Sequence, residues 1–169
     1  MANASGQKVG SLGRRLPGSA HVEVAKIDLA RGELLRDTDG RLVPTTEGEP
    51  GVLCARLEPS DAPSTSTLVV PDAFQPGDRW FITSDIVRRD AEGDLWFVDA
   101  QSGFVATTRG PVSTRAVEDA LFSLPEVEMA VAWGEDTAGG RDVVAALVAR
   151  EPILPQRVAD AMARVAAER

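Results

Sequence analysis

Cysteine, histidine, lysine and tyrosine are almost missing from this chain of 169 residues, which has one cysteine, one histidine and no tyrosine. Cys54 has no partner for an intramolecular disulfide, and with His21 it cannot assemble a Cys/His metal site, so a metal-free chain of a reducing cytoplasm is expected. His21 stands alone in a predicted strand, where it reads as a packing residue and gives neither Ser113 nor Cys54 a base for nucleophilic catalysis. Lys8 and Lys26 are the lysines. No apolar run reaches the ~18 residues that a membrane-spanning helix needs. The opening "MANASGQKVGSLGRR" has no apolar core of a signal peptide. Glycine-rich phosphate loops, whether GxxxxGK[ST] or GxGxxG after a strand, are absent. Blocks of basic charge are absent too. The net charge is −8, with both signs interspersed, which argues against nucleic acid or an anionic membrane as partner.

What is present suits a folded α+β chain. Apolar residues make up 43% of it, enough for a core. Residues 1–20 are rich in Gly, Ser and Arg and read as loop. "HVEVAKID" (21–28) nearly alternates and predicts a half-buried strand. Asp39-Gly40 in "LLRDTDGRLV" signals a hairpin, and "GEPGVLCARL" a further strand. Residues 58–67 read as a polar loop. "RWFITSDIVRRD" and "DLWFVDA" are expected to form a second hairpin with Gly93 at its bend. After Asp99 the pattern changes. "QSGFVATTRGPV" looks like loop, and Val117, Ala120, Leu121 and Leu124 give a helix over 113–124, with Ser113 or Thr114 as N-cap. The apolar runs at 128–133 and 142–149 predict strands buried on both faces, joined by "GEDTAGGR". Val158, Met162 and Val165 mark a last helix, with Pro155 in its first turn.

Among the acidic residues, Asp90, Glu92 and Asp94 are ordinary hairpin-turn residues. Asp85 is different. It follows two small hydroxyl residues, has no helix to cap, and is expected at a strand end. On the local pattern alone, capping a turn is its more economical role, and binding a ligand the alternative.

The order of these segments resembles the C-terminal third of the adenylate-forming acyl-CoA synthetases, above all the fatty acid transport protein type (very-long-chain acyl-CoA synthetases) and bacterial fatty-acid–CoA ligases. The stretches that carry the resemblance are "GEPGVLCAR", "DRWFITSDIVRRDAEGDLWFVDA" and "STRAVEDALFSLPEVEMAVAWGEDTAGGRDVVAALV". The family motif G-W-x-x-T-G-D, then D-x-x-G-x-x-x-F-x-D-R, falls on Trp80, Thr83-Ser84-Asp85, Asp90, Gly93, Phe97 and Asp99. Such proteins activate a fatty acid with ATP to an acyl-adenylate and pass the acyl group to CoA. The resemblance implies that residues 1–98 are the β-rich end of the large AMP-binding domain, 99–103 a hinge, and 104–169 an incomplete swinging α+β domain. It places Asp85 on the ATP or AMP ribose, with Thr83 and Phe97 beside it. It makes Asp99, Ser102 and Gly103 the hinge, and Arg109 and Gly110 a CoA-side loop.

The implied substrates of the parent are ATP (with Mg), CoA and a fatty acid, none expected to bind tightly to this chain alone, and the implied partner is an N-terminal adenylating domain. The implied home is cytoplasmic, with a membrane-peripheral parent as the other option. Departures matter as well. The family's D-R pair reads Asp99-Ala100, and the capping-box glutamate reads Ala116. The adenylation lysine of the family is expected beyond the last residue, and neither Lys8 nor Lys26 replaces it. The expectation is a C-terminal fragment of a ligase-like protein, inactive alone and leaving strands of 1–98 with uncovered apolar faces. A non-catalytic relative that binds a ligand or a protein is the alternative.

Overall fold

The structure, a computed structural model, describes residues 8–59, 61 and 68–167, so most of the predicted polar loop at 58–67 lies outside the described residues. The described chain forms two compact units, one ending at Gln101 and the other starting at Ser102.

The first unit is an antiparallel sheet. Its strands are β1 (Ser11–Gly13), β2 (Val22–Asp28), β3 (Glu33–Leu34), β4 (Gly51–Arg56), β5 (Val69–Pro71), β6 (Arg79–Arg89) and β7 (Leu95–Ala100). Their order is β1-β7-β6-β4-β2-β3, with β5 also paired to β6. The central strand β4, "GVLCAR", is buried through its first four residues, as a strand with neighbours on both sides should be. A core of Val24, Leu53, Val87 and Leu95 forms there, with Leu12 and Val22 against it. Gly51 opens β4 where a Cβ would stand 2.4 Å from the Ala25 carbonyl oxygen, so the two backbones approach closely only because glycine is there. Residues 11–13, expected as loop, are strand. Three residues are too few to show a period, and β1 is held from outside, by the Arg14 guanidinium on Asp94 at 3.1 Å.

The second unit begins after a 3₁₀ turn at Gln101–Gly103 and contains β8 (Phe104–Thr107), β9 (Gly110–Ser113), α1 (Thr114–Phe122), β10 (Val127–Thr137), β11 (Gly140–Ala149) and α2 (Pro155–Ala167). Ser113 is the N-cap of α1, its Oγ accepting from the Ala116 N–H at 3.1 Å. The stretch 104–113, expected as loop, is a β8–β9 hairpin. Gly110 takes φ 113° to close its turn. Pro111 is tolerated because a two-stranded ribbon leaves half of its backbone groups outside the ladder.

The apolar runs form one long antiparallel pair, β10–β11, turning at Ala138-Gly139. They are not buried on both faces as expected. One face packs under α1 and α2 through Val117, Leu121, Val127, Ala130, Ala132 and Ala161. The other presents Met129, Val131 and Trp133 at 57%, 50% and 44% exposure. The Glu118 carboxylate accepts the Ala132 N–H at 2.9 Å, so α1 also covers part of the β10 edge. Among the described residues, large exposed apolar side chains are few and scattered before residue 101 (Val9, Leu35, Leu68) and concentrated after it. The expectation of bare strands in residues 1–98 is therefore not met.

Candidate functional site

Asp85 lies inside β6, not at a strand end, because the strand runs on to Arg89. What singles it out is a change of neighbours. Along one side of β6, β5 pairs with Arg79–Phe81 and β7 takes over from Asp85 to Arg89. Along the other side, β4 pairs Cys54 with Ile82 and Val52 with Ile86, so Thr83, Ser84 and Asp85 stand opposite the single residue Leu53. Thr83 and Ser84 have no partner in any of these registers. This is a β-bulge, a device that breaks the ladder and re-aims side chains.

Two hydrogen bonds close the bulge. The Thr83 hydroxyl donates to the Leu53 carbonyl at 2.8 Å and accepts the Asp85 N–H at 3.1 Å. The Asp85 carboxylate is half-buried and, among the described residues, takes part in no hydrogen bond or ion pair. It does not cap a turn. Ala100 is its direct cross-strand partner in β7, so the position where the family has arginine lies beside it and carries a methyl group. Phe97 is two register positions away, opposite Val87 and half-buried.

The other expected site residues are elsewhere. Asp99 is buried in β7 and accepts the Ala100 N–H on Oδ1 at 2.7 Å. Ser102 and Gly103 are the last two residues of the 3₁₀ turn Gln101–Gly103 at the unit boundary, and Gly103 is outside the left-handed region. Arg109, exposed, and Gly110 sit at the β8–β9 turn, in the second unit. His21 packs edge-on to Trp80 at 5.6 Å. Burial pushes the Cys54 thiol up to about 12, which removes it as a nucleophile at neutral pH. No group of three or more His, Cys, Asp or Glu side chains able to hold a metal is found among the described residues. No helix among them is long and apolar enough to cross a membrane. Sequence reasoning missed the part played by Leu53, which acts through its main-chain oxygen and leaves no side-chain signal.

No family model matches the chain. It is 33% identical to a very long-chain fatty acid transport protein of Cochliobolus heterostrophus over 121 residues, which is 66% of this chain and 19% of that protein. It is 35% identical to a medium/long-chain-fatty-acid–CoA ligase of Mycobacterium tuberculosis over 132 residues, 73% of this chain and 22% of that one. The chain thus spans about a fifth of the length of the curated relatives it matches. Among solved structures, O-succinylbenzoate CoA synthetase of Bacillus subtilis in complex with AMP superimposes with a TM-score of 0.64 at 23% identity, covering 93% of this chain and 29% of that one. ATP-bound MatB from Rhodopseudomonas palustris gives 0.65 at 20% identity, covering 92% and 29%. The chain is therefore similar in sequence to the fatty acid transport proteins and fatty-acid–CoA ligases, and it carries the fold of the C-terminal part of the adenylate-forming CoA synthetases.

Proposed function

We propose that this chain is the nucleotide-closing part of a fatty-acid–CoA ligase-like protein, in which Asp85 accepts the ribose hydroxyls of ATP and of the acyl-adenylate. The observation that carries this reading is the carboxylate at the bulge of β6, which has no partner among the described residues. An ionised carboxylate has two acceptor oxygens, which match the two hydroxyls of a vicinal diol. Phe97 supplies apolar surface for the sugar. Residues 99–103 are the hinge of the second unit, and Arg109 with Gly110 meets CoA. Fatty acid, ATP with its Mg ion and CoA are the substrates of the whole protein, and an adenylating domain is the partner of this chain. The 169-residue chain on its own releases no pyrophosphate from ATP.

The test is a titration of AMP into the chain, followed by the amide shifts of Asp85, Ile86 and Phe97. Asp85→Asn replaces a charge-assisted pair of acceptors by one neutral oxygen, which weakens binding by about 1.5–3 kcal/mol, roughly 10- to 100-fold. Unchanged affinity in that variant would sink the ribose assignment. Fatty-acid-dependent pyrophosphate release that Asp85→Ala abolishes would refute the inactive-alone reading.

The second reading, a non-catalytic relative that binds a ligand or a protein, is favoured by Ala100 beside Asp85. A guanidinium there would offer charged donors to the nucleotide. Ala100→Arg should tighten AMP binding if the site handles nucleotides, and leave a different kind of binding module indifferent to AMP.

A further inference from the structure

We infer that Thr83 is a positioning residue, and that a hydroxyl-clasped bulge presents Asp85. The inference deepens the ribose reading and rests on it for its functional meaning. Between Ile82 and Ile86, β6 has three residues where β4 has only Leu53 between Cys54 and Val52. Two residues too many interrupt the ladder opposite Leu53, a buried residue. One side chain bridges the gap. The Thr83 hydroxyl donates its single proton to Leu53 O at 2.8 Å and offers a lone pair to the Asp85 N–H at 3.1 Å.

Two consequences follow. With its proton committed to Leu53, the Thr83 hydroxyl is not a donor for a phosphate or a sugar, so Thr83 supports the nucleotide site without touching the nucleotide. The Asp85 backbone is fixed through its N–H, while among the described residues neither carboxylate oxygen has a hydrogen-bond partner. Threonine suits the task better than serine because its β-branch narrows χ1 and holds the hydroxyl in place. The clasp sits where β6 trades β5 for β7, at Thr83 and Ser84, which no strand register among the described residues includes.

The experiment compares the full chain with its Thr83→Val and Thr83→Ser variants, by amide hydrogen exchange and AMP titration. Exchange at the Asp85 amide should quicken at least tenfold in Thr83→Val while Val24 and Ala25 in β2 keep their protection. AMP affinity should fall at least tenfold at a temperature where the variant is fully folded, and Thr83→Ser should recover both to within about threefold. Exchange unchanged in Thr83→Val, or an equal loss in Thr83→Ser, would overturn the inference. Should Thr83→Val not fold, the wild-type chain decides alone. A slowly exchanging Thr83 hydroxyl proton with cross-relaxation to the Asp85 amide supports the clasp, and its absence overturns it. If the wild type binds no AMP, the ribose reading falls, and the exchange data still decide the clasp.

Discussion

Lys8 and Asp90 form an ion pair at 2.6 Å across 82 positions of sequence. The same ammonium lies 2.9 Å from Glu92 and 3.8 Å from Asp94, so one lysine gathers three carboxylates of the β6–β7 turn. The Trp96 indole N–H also donates to Asp90, at 2.9 Å. The segment leading into β1 is thereby clasped to the hairpin that carries Phe97 and Asp99.

The clasp should be sensitive to acid. The Lys8 ammonium, then the Trp96 N–H, hold the Asp90 carboxyl well below the ordinary carboxylate range. A depressed folded pKa contributes stability that is full above the unfolded value, about 3.9, and is lost as pH falls through the folded one. Melting temperatures recorded from pH 7 to 2 should therefore drop more steeply below about pH 4 in the wild type than in Asp90→Asn. Parallel profiles would show that the pair is not linked to folding. Lys8 is raised above its ordinary 10.5, chiefly by the hydrogen bond to Asp90 and then that to Glu92, so its contribution persists at neutral pH and fades only above that value.

Gly51→Ala should destabilise the first unit by at least 1–3 kcal/mol, the range of an overpacked core. The added methyl meets the Ala25 oxygen at 2.4 Å and Thr45 Cγ2 at 2.5 Å, and a backbone oxygen cannot swing aside. Urea unfolding followed by Trp80 fluorescence measures the loss.

Leu121→Ala should lower the stability of the second unit by about 2–5 kcal/mol, as buried leucine truncations do. Leu121 is 2% exposed at the centre of the helix–hairpin core. Amide exchange should quicken across β10 and β11 and leave β4 and β6 unchanged. Equal quickening in both would mean that the units unfold as one.

Val131→Lys should change stability by no more than about 0.5 kcal/mol, because Val131 is half exposed. Ala132→Lys, next in the chain, should prevent the second unit from folding, since Ala132 is buried under the helices. Circular dichroism of the two variants separates the faces.

The elements most legible in the sequence were those with a full period or an explicit turn. α1 showed its stripe of Val117, Ala120 and Leu121 and its Ser113 cap, and the β6–β7 hairpin showed Gly93 at φ 85°. β1 and the β8–β9 hairpin were hidden because each strand has four residues or fewer, and their pairing is set by distant segments or by a glycine that also reads as a breaker. Asp85 could be singled out by its neighbours and by the family motif. Its surroundings could not. The bulge is a mismatch in length between two strands about 30 residues apart, visible only once Val52 and Ile86 are seen to pair.

The β10–β11 pair shows what decides orientation when polarity is silent. Met129, Val131 and Trp133 point one way and Ala130 and Ala132 the other, and all five are apolar. Hydropathy alone would let the hairpin seat either side against α1 and α2. Bulk does not. The two alanines let the helices come close, whereas a slip of one residue would drive the Trp133 indole and two more long side chains into that narrow gap. Steric fit, not water-aversion, is the compass of this hairpin, and substitutions that enlarge Ala130 or Ala132 should erase it even when they are perfectly greasy.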